Sequence, residues 1–188
     1  MYMSNYTAAL QALQTLIAID SSWDAINVLK MCSVCKNKLG RHDEALADLN
    51  KAMVADPHNV QVLQERADTK AAVLDYNGAL ADVCTAIQLY PEDAGPLTRR
   101  GHILYMIGQL EAALADLDNA NGMRPNHELT LLGRGHVKHD LEIWAGAIAD
   151  FGEAEKHAPL DEYASKQRTY AKERLGAAGG PVATQQRM

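Results

Sequence analysis

The feature that most constrains this chain is a repeat of 34 residues. The segments DEALADLNKA, NGALADVCTA and EAALADLDNA begin at residues 43, 77 and 111, so each follows the one before it by the same interval. A period in this range is typical of arrays of small helical units, which bury their apolar faces only by stacking on their neighbours. A chain of 188 residues is long enough for several such units sharing a continuous core.

Several residue types recur at this interval and mark the helices and turns of the unit. Apolar residues spaced three and four apart in two runs predict two amphipathic helices per unit, joined by a tight turn at Gly40 and Gly108. Small residues are expected where helices touch, and proline ends a helix because it lacks an N–H. The recurring rows are Ala45, Ala79, Ala113 and Ala147; Ala52, Ala86, Ala120 and Ala154; Leu29, Leu63, Leu97 and Leu131; and Pro57, Pro91, Pro125 and Pro159.

Together these rows resemble the tetratricopeptide repeat, with its glycine turn, its two alanines seven residues apart and its terminal proline. The resemblance covers about residues 26–161 and implies an all-α fold, a right-handed α-solenoid of four full helix pairs. The sequence departs from the family pattern where a tyrosine is usual, at Lys36, Lys70, Leu104 and Lys138.

The expected domain organisation follows the same register. A single repeat domain is expected over 1–175, with a leading half repeat at 5–20 and a more polar C-terminal capping helix at 162–175. A Gly/Ala/Pro-containing flexible tail is expected at 176–188. The four full repeats are predicted at 26–59, 60–93, 94–127 and 128–161.

Arginine and aspartate also follow the repeat and predict a structural ladder of ion pairs. Pairing inside each unit would leave Asp48 facing Cys32 and Arg168 without an aspartate, whereas pairing between adjacent units uses all eight residues. Such pairs would matter if buried, because loss of one partner of a buried pair costs about 3–5 kcal/mol. The expected pairs are Asp48–Arg66, Asp82–Arg100, Asp116–Arg134 and Asp150–Arg168.

In the tetratricopeptide repeat family the first helices line a concave groove, so the resemblance implies a non-enzymatic adaptor or scaffold that binds a peptide or protein segment there. The C-terminal half of the groove combines histidine, tyrosine and leucine, a mixture suited to an apolar or aromatic segment. The predicted partner-binding residues are Lys30, Gln64, Asp68, Thr98, His102, Tyr105, Leu132, His136 and His139.

The alternative function is that of a structural subunit of a larger assembly, or of a homo-oligomer. The leading helix has no first helix of its own repeat before it, so its apolar face is expected to be open. Leu10 and Leu13 would then form an association edge.

Some family members grip the acidic C-terminal tails of heat-shock chaperones with a carboxylate clamp of lysine, asparagine and arginine. In one register this chain places Glu65 where it would repel the carboxylate, and in the other Arg99 is the single cation. The residues therefore argue against clamp binding.

Composition and motifs narrow the remaining function classes. The net charge of −6 argues against nucleic acid as a partner, and the absence of a long apolar run or a signal-like N-terminus predicts a cytoplasmic chain without membrane association. The sequence contains no nucleotide-binding or nucleophile motif, so no catalytic residue or cofactor is predicted.

Two groups of residues, a set of histidines and a C-x-x-C segment, resemble metal sites in composition. His102, His136 and His139 lie on predicted first helices about 10 Å apart, which is far for a shared metal with bonds of about 2 Å. Cys32 and Cys35 form a C-x-x-C inside a predicted helix without a second pair, so burial as small apolar residues is expected instead. No metal ligand is therefore predicted.

Overall fold

The computed structural model describes residues 2–19, 25–157 and 159–178, which form ten α-helices and no β-strand. This confirms the predicted all-α class, with two helices in each predicted repeat. None of the helices in these ranges is both long and apolar enough to cross a membrane. The helices are α1 (Tyr2–Ile19), α2 (Ala25–Lys38), α3 (His42–Ala55), α4 (Val60–Ala72), α5 (Tyr76–Leu89), α6 (Ala94–Met106), α7 (Leu110–Met123), α8 (Glu128–Asp140), α9 (Trp144–Glu155) and α10 (Glu162–Ala178).

The chain divides into two compact units, Met1–Ile103 and Leu104–Met188. In the first unit α1 packs on α2, α2 on α3, α3 on α4, and α4 on α5. In the second unit α7 packs on α8, α8 on α9, and α10 on both α8 and α9. The single domain expected over 1–175 stays a prediction. Helix α10 extends three residues beyond the predicted cap, and the rest of the predicted tail lies outside the described residues.

The recurring alanines lie where the helices of the stack touch. Ala45, Ala79, Ala113 and Ala147 are completely buried, and so are Ala52, Ala86 and Ala120. A methyl side chain lets two helices approach closely, so these rows have a packing role. A larger apolar residue accompanies them once in each second helix, and these residues are also completely buried: Leu49, Val83, Leu117 and Phe151.

The turn between the two helices of a repeat requires a left-handed backbone. Gly40 and Gly108 have φ angles of 73° and 79°, which confirms the predicted glycine turn. The corresponding residues of the second and fourth repeats are Leu74 and Glu142, with φ angles of 65° and 58°. A side chain in this region is strained because its Cβ crowds the following carbonyl oxygen. The packed helix pairs therefore hold these two turns in a conformation that glycine adopts freely.

The predicted pairing of the arginine–aspartate ladder is wrong, because the pairs form inside a repeat. Arg66 Nη2 lies 2.6 Å from Asp82 Oδ1, and Arg134 Nη2 lies 2.5 Å from Asp150 Oδ1. In both repeats the two residues are 16 positions apart, not 18, and connect the first helix to the second. Arg168 pairs with Glu155 and not with Asp150.

In the first repeat the aspartate of the second helix pairs with a lysine, because this repeat has no arginine at the corresponding position. Lys36 Nζ lies 2.5 Å from Asp48 Oδ2, so this lysine supplies the charge that Cys32 does not. Lys70 and Lys138 make the same contact with Asp82 and Asp150, at 2.8 and 2.9 Å. Three of the four positions where the sequence departs from the family pattern, Lys36, Lys70 and Lys138, therefore take part in these ion pairs.

The predicted association edge on α1 is also corrected by the structure. Leu10 and Leu13 are 3% and 8% exposed, and they pack against Val28, Cys32 and Cys35 of the neighbouring helix α2. The apolar face of α1 is covered by α2, so these two leucines are not open for association. The same cluster confirms that Cys32 and Cys35 act as small buried apolar residues.

Candidate functional site

A cavity between the first helices of the first two repeats is the candidate site of the first unit. It has a volume of about 350 Å³, which falls in the range of about 300–1,000 Å³ usual for ligand pockets. Helices α2 and α4 contact each other, and their side chains supply most of the lining. The lining residues are Val34, Asn37, Lys38, His42, Glu65, Asp68 and Ala72.

A chain of hydrogen bonds fixes one wall of this cavity. The Asn37 amide nitrogen donates to Thr69 Oγ1 at 2.7 Å, and the Thr69 hydroxyl donates to the Glu65 carbonyl oxygen at 2.7 Å. His42 Nδ1 lies 3.2 Å from Asn37 Oδ1, a contact that requires Nδ1 to carry the hydrogen because an amide oxygen only accepts. Thr69 is buried, so this chain ties α2, α3 and α4 together beneath the cavity.

The two carboxylates of the cavity differ in their partners. Asp68 Oδ2 accepts from Arg99 Nε at 3.0 Å, and this pairing opposes the burial that raises the pKa of Asp68. The half-buried Glu65 carboxylate has no hydrogen bond or ion pair within the part of the chain that the structure describes. Burial raises the pKa of Glu65, and the nearby Asp68 charge adds to the effect, while Arg99, Lys30 and Lys38 oppose it. Glu65 is therefore a carboxylate whose charged form is poorly stabilised by its own protein.

This raised pKa predicts how Glu65 affects stability. The folded chain holds the Glu65 proton more tightly than the unfolded chain, whose pKa is near the ordinary 4.5. As the pH rises above that value the unfolded chain deprotonates first, so stability falls through the raised pKa of the folded state. The neutral variant Glu65→Gln is expected to be more stable than wild type at pH 7 and equal to it below about pH 4. Urea unfolding at both pH values measures this, with Glu92→Gln as an exposed control. A wild type more stable than Glu65→Gln at pH 7 would contradict the assignment.

The predicted groove residues of the first unit lie in different environments. Lys30 Nζ donates to Gln61 Oε1, and Gln64 lies beside Gly95, so both residues connect successive first helices. His102 is half-buried. Thr98 is 5% exposed and donates to the Ala94 carbonyl oxygen at 3.1 Å, so its prediction as a groove residue is wrong. Its hydroxyl is satisfied inside its own helix.

The predicted groove residues of the second unit contact one another and helix α10. The His136 ring centroid lies 6.4 Å from that of Tyr105 and 5.3 Å from that of Tyr163, and its Nδ1 bonds to Gln167 Oε1. Tyr105 Oη donates to Asp140 Oδ2 at 2.8 Å. Burial raises the pKa of Tyr105, and the bond to Asp140 raises it further, so the phenol stays neutral.

His139 and Leu132 continue this contact with helices α9 and α10. The His139 ring centroid lies 5.4 Å from that of Trp144 and 5.5 Å from that of Tyr170, while Nδ1 lies 2.9 Å from Asp140 Oδ1. Leu132 packs against the cluster of Ala147, Phe151 and Ala164. These side chains therefore support the C-terminal helix. The sequence does indicate this role of α10: Tyr170 follows His136 by one repeat length of 34 residues, so α10 continues the pattern of the first helices.

The described ranges contain no group of three or more His, Cys, Asp or Glu side chains arranged to hold a metal ion. In the second unit, His136 and His139 use their Nδ1 atoms for Gln167 and Asp140 respectively.

The fold is that of known tetratricopeptide repeat proteins, as comparison with solved structures shows. A tetratricopeptide repeat protein of Thermus thermophilus superposes with a TM-score of 0.77 at 17% identity, over 92% of this chain and 93% of that one. No protein-family model and no curated protein matches the sequence. The chain thus has the fold of tetratricopeptide repeat proteins, an all-α solenoid.

Two further neighbours are described as binding peptides. The first tetratricopeptide repeat domain of Spaghetti (RPAP3), solved with the HSP90 peptide SRMEEVD, has a TM-score of 0.57 and 26% identity, over 62% of this chain and 92% of that domain. YrrB, a protein with an unusual peptide-binding site, has a TM-score of 0.62 and 17% identity, over 89% of this chain and 86% of its own. The same fold therefore supports peptide binding in other proteins.

Proposed function

We propose that this protein is a non-enzymatic adaptor that binds a segment of another protein along α2 and α4. The observation that carries the proposal is the cavity of about 350 Å³ with an ordered polar wall and apolar side chains on first helices. Peptide binding by Spaghetti and YrrB supports it by analogy of fold. The proposed contacts are Asn37 and Glu65 together with the predicted Lys30, Gln64, Asp68 and His102.

The second unit has a different role in this proposal. Tyr105, Leu132, His136 and His139 hold helix α10 through ring contacts and hydrogen bonds, so we assign them first to support of that helix. Their partly exposed edges remain a secondary contact area for a partner.

Binding of an acidic chaperone tail by a carboxylate clamp is not part of this proposal. Arg99 is already paired with Asp68, and the Glu65 carboxylate, which has no direct ion-pair partner among the described residues, lies in the same groove. A second carboxylate brought there would meet repulsion and no free guanidinium. The net charge of −6 likewise opposes a polyanionic partner.

The proposal is tested by selecting binders from a random library of 12-residue peptides displayed on phage, with the full chain as bait. Val34→Trp fills the cavity, and we expect it to weaken the selected peptides at least about tenfold, which is a loss of about 1.4 kcal/mol. Val54→Trp makes the same change on α3 at a residue that is 84% exposed, and it should leave the affinity unchanged. Circular dichroism confirms that both variants are folded. Equal affinities of the selected peptides for both variants would contradict groove binding.

A further inference from the structure

The Glu65 carboxylate of the groove cavity, which has no direct partner among the described residues, indicates which kind of side chain the cavity binds. Glu65 and Asp68 line the cavity with Lys38, and Asp68 is paired with Arg99 from outside the lining. Glu65 receives no hydrogen bond or ion pair within the described ranges, although it is half-buried. A partly buried charge without a partner is unfavourable, so a cation placed beside Glu65 would gain free energy.

The remaining lining has the form that a long cationic side chain requires. Val34 and Ala72 offer apolar surface, which suits the methylene stem of arginine or lysine. Asn37 is engaged on both sides, by Thr69 and by His42, so its amide fixes the wall of the cavity. The carboxylate of Glu65 is then the group left to receive a charged head.

An acidic ligand fits the same cavity poorly. Lys38, exposed at the last residue of α2, is the one cation in the lining, against two carboxylates. The other two cations that act on Glu65 have partners, Lys30 with Gln61 and Arg99 with Asp68. An incoming carboxylate would approach Glu65 and Asp68 together and raise the electrostatic cost of binding. Charge complementarity therefore favours a basic residue.

We propose that the cavity recognises an arginine or lysine side chain of the bound protein segment, with the charged head paired to Glu65 and the stem against Val34 and Ala72. This inference rests on the proposed groove binding and adds the chemical class of the ligand to it. Arginine is the preferred residue, because its planar guanidinium donates two parallel hydrogen bonds to one carboxylate.

The test is a double-mutant cycle on the full chain with synthetic copies of a selected peptide. One copy carries arginine at the basic position, and the other carries citrulline, which has the same shape without the charge. On wild type, citrulline is expected to raise the Kd at least about tenfold, as for loss of a hydrogen bond to a charged group. On Glu65→Gln, the two peptides should differ less than about twofold. Glu92→Gln, which changes an exposed carboxylate, should behave as wild type.

The outcomes separate the two proposals. If Val34→Trp abolishes binding but the citrulline effect is the same on wild type and Glu65→Gln, groove binding stands and recognition of a basic residue is wrong. If Val34→Trp has no effect, the proposed function itself fails. If the library yields no binder, acetyl-Leu-Arg-Leu-amide and its citrulline analogue are titrated at millimolar concentration into ¹⁵N-labelled protein. Equal shifts at the Glu65 amide would then overturn the inference, whereas shifts produced by arginine alone would support it.

Discussion

Replacing Asp150 with alanine is expected to lower the free energy of unfolding by about 3–5 kcal/mol. Asp150 is 4% exposed and accepts hydrogen bonds from both Arg134 and Lys138. Its removal leaves two cations next to each other in a partly buried position without the anion between them. Urea unfolding of the Asp150→Ala variant measures the loss.

Asp118→Ala is the matched control for this prediction. Asp118 pairs with the same guanidinium, at 3.1 Å from Arg134 Nη1, but its side chain is 52% exposed. An exposed pair contributes about 0–1 kcal/mol, so this variant should be nearly as stable as wild type. Equal losses for the two variants would show that burial does not determine the strength of these pairs. A cycle of Asp150→Ala with Arg168→Ala should be additive, since those two residues are not paired.

Replacing Gly135 with alanine is expected to destabilise the protein by about 1–3 kcal/mol, the usual range for overpacking. A Cβ at Gly135 would lie 2.7 Å from Phe151 Cε1 and 2.9 Å from Cδ1. The Phe151 ring is completely buried, so it has little room to move away. The second repeat carries a smaller pair at the corresponding positions, Ala67 and Val83.

The control replaces Phe151 with valine, the residue at the corresponding position of the second repeat. In a Phe151→Val background, Gly135→Ala should cost much less than in wild type, with a coupling of about 0.5–3 kcal/mol. Gly122→Ala adds a methyl group with no other atom within 4 Å, and it should raise helix stability by up to about 1 kcal/mol. The same cost for Gly135→Ala in both backgrounds would mean that contact with Phe151 is not the cause. Gly135 therefore has a packing role against Phe151.

The helix pairs could be predicted from the sequence because their causes are local and recur. The apolar spacing, the alanine rows, the turn glycines and the closing prolines all repeat every 34 residues, so each repeat supports the interpretation of the next. Pairing of the ladder could not be obtained by counting residues. The pairing depends on which faces of the two packed helices meet. Only the structure shows that Lys36, four residues after Cys32, supplies the partner of Asp48.

The candidate site was predictable only in outline. The resemblance placed the first helices along the groove, but it did not show that Asp68 is paired while Glu65 is not, since this depends on the position of Arg99. The apolar face of α1 was recognised, but its cover, α2, was not. The cap helix was expected to cover an apolar face. Ala164 of α10 does pack against Ala147 and Phe151. The tyrosines of α10 also contact histidines of α8, because α10 takes the place of the next first helix.

The central claim is that a partner segment binds between α2 and α4 of the first unit. Its most direct test is a chemical-shift map of the ¹⁵N-labelled full chain with a peptide selected from the 12-residue library. We expect the largest changes at the backbone amides of Asn37, Glu65 and Ala72, which line the cavity. If the largest changes lie on the second helices α3 and α5, or on α10, the partner binds elsewhere and binding between α2 and α4 is wrong.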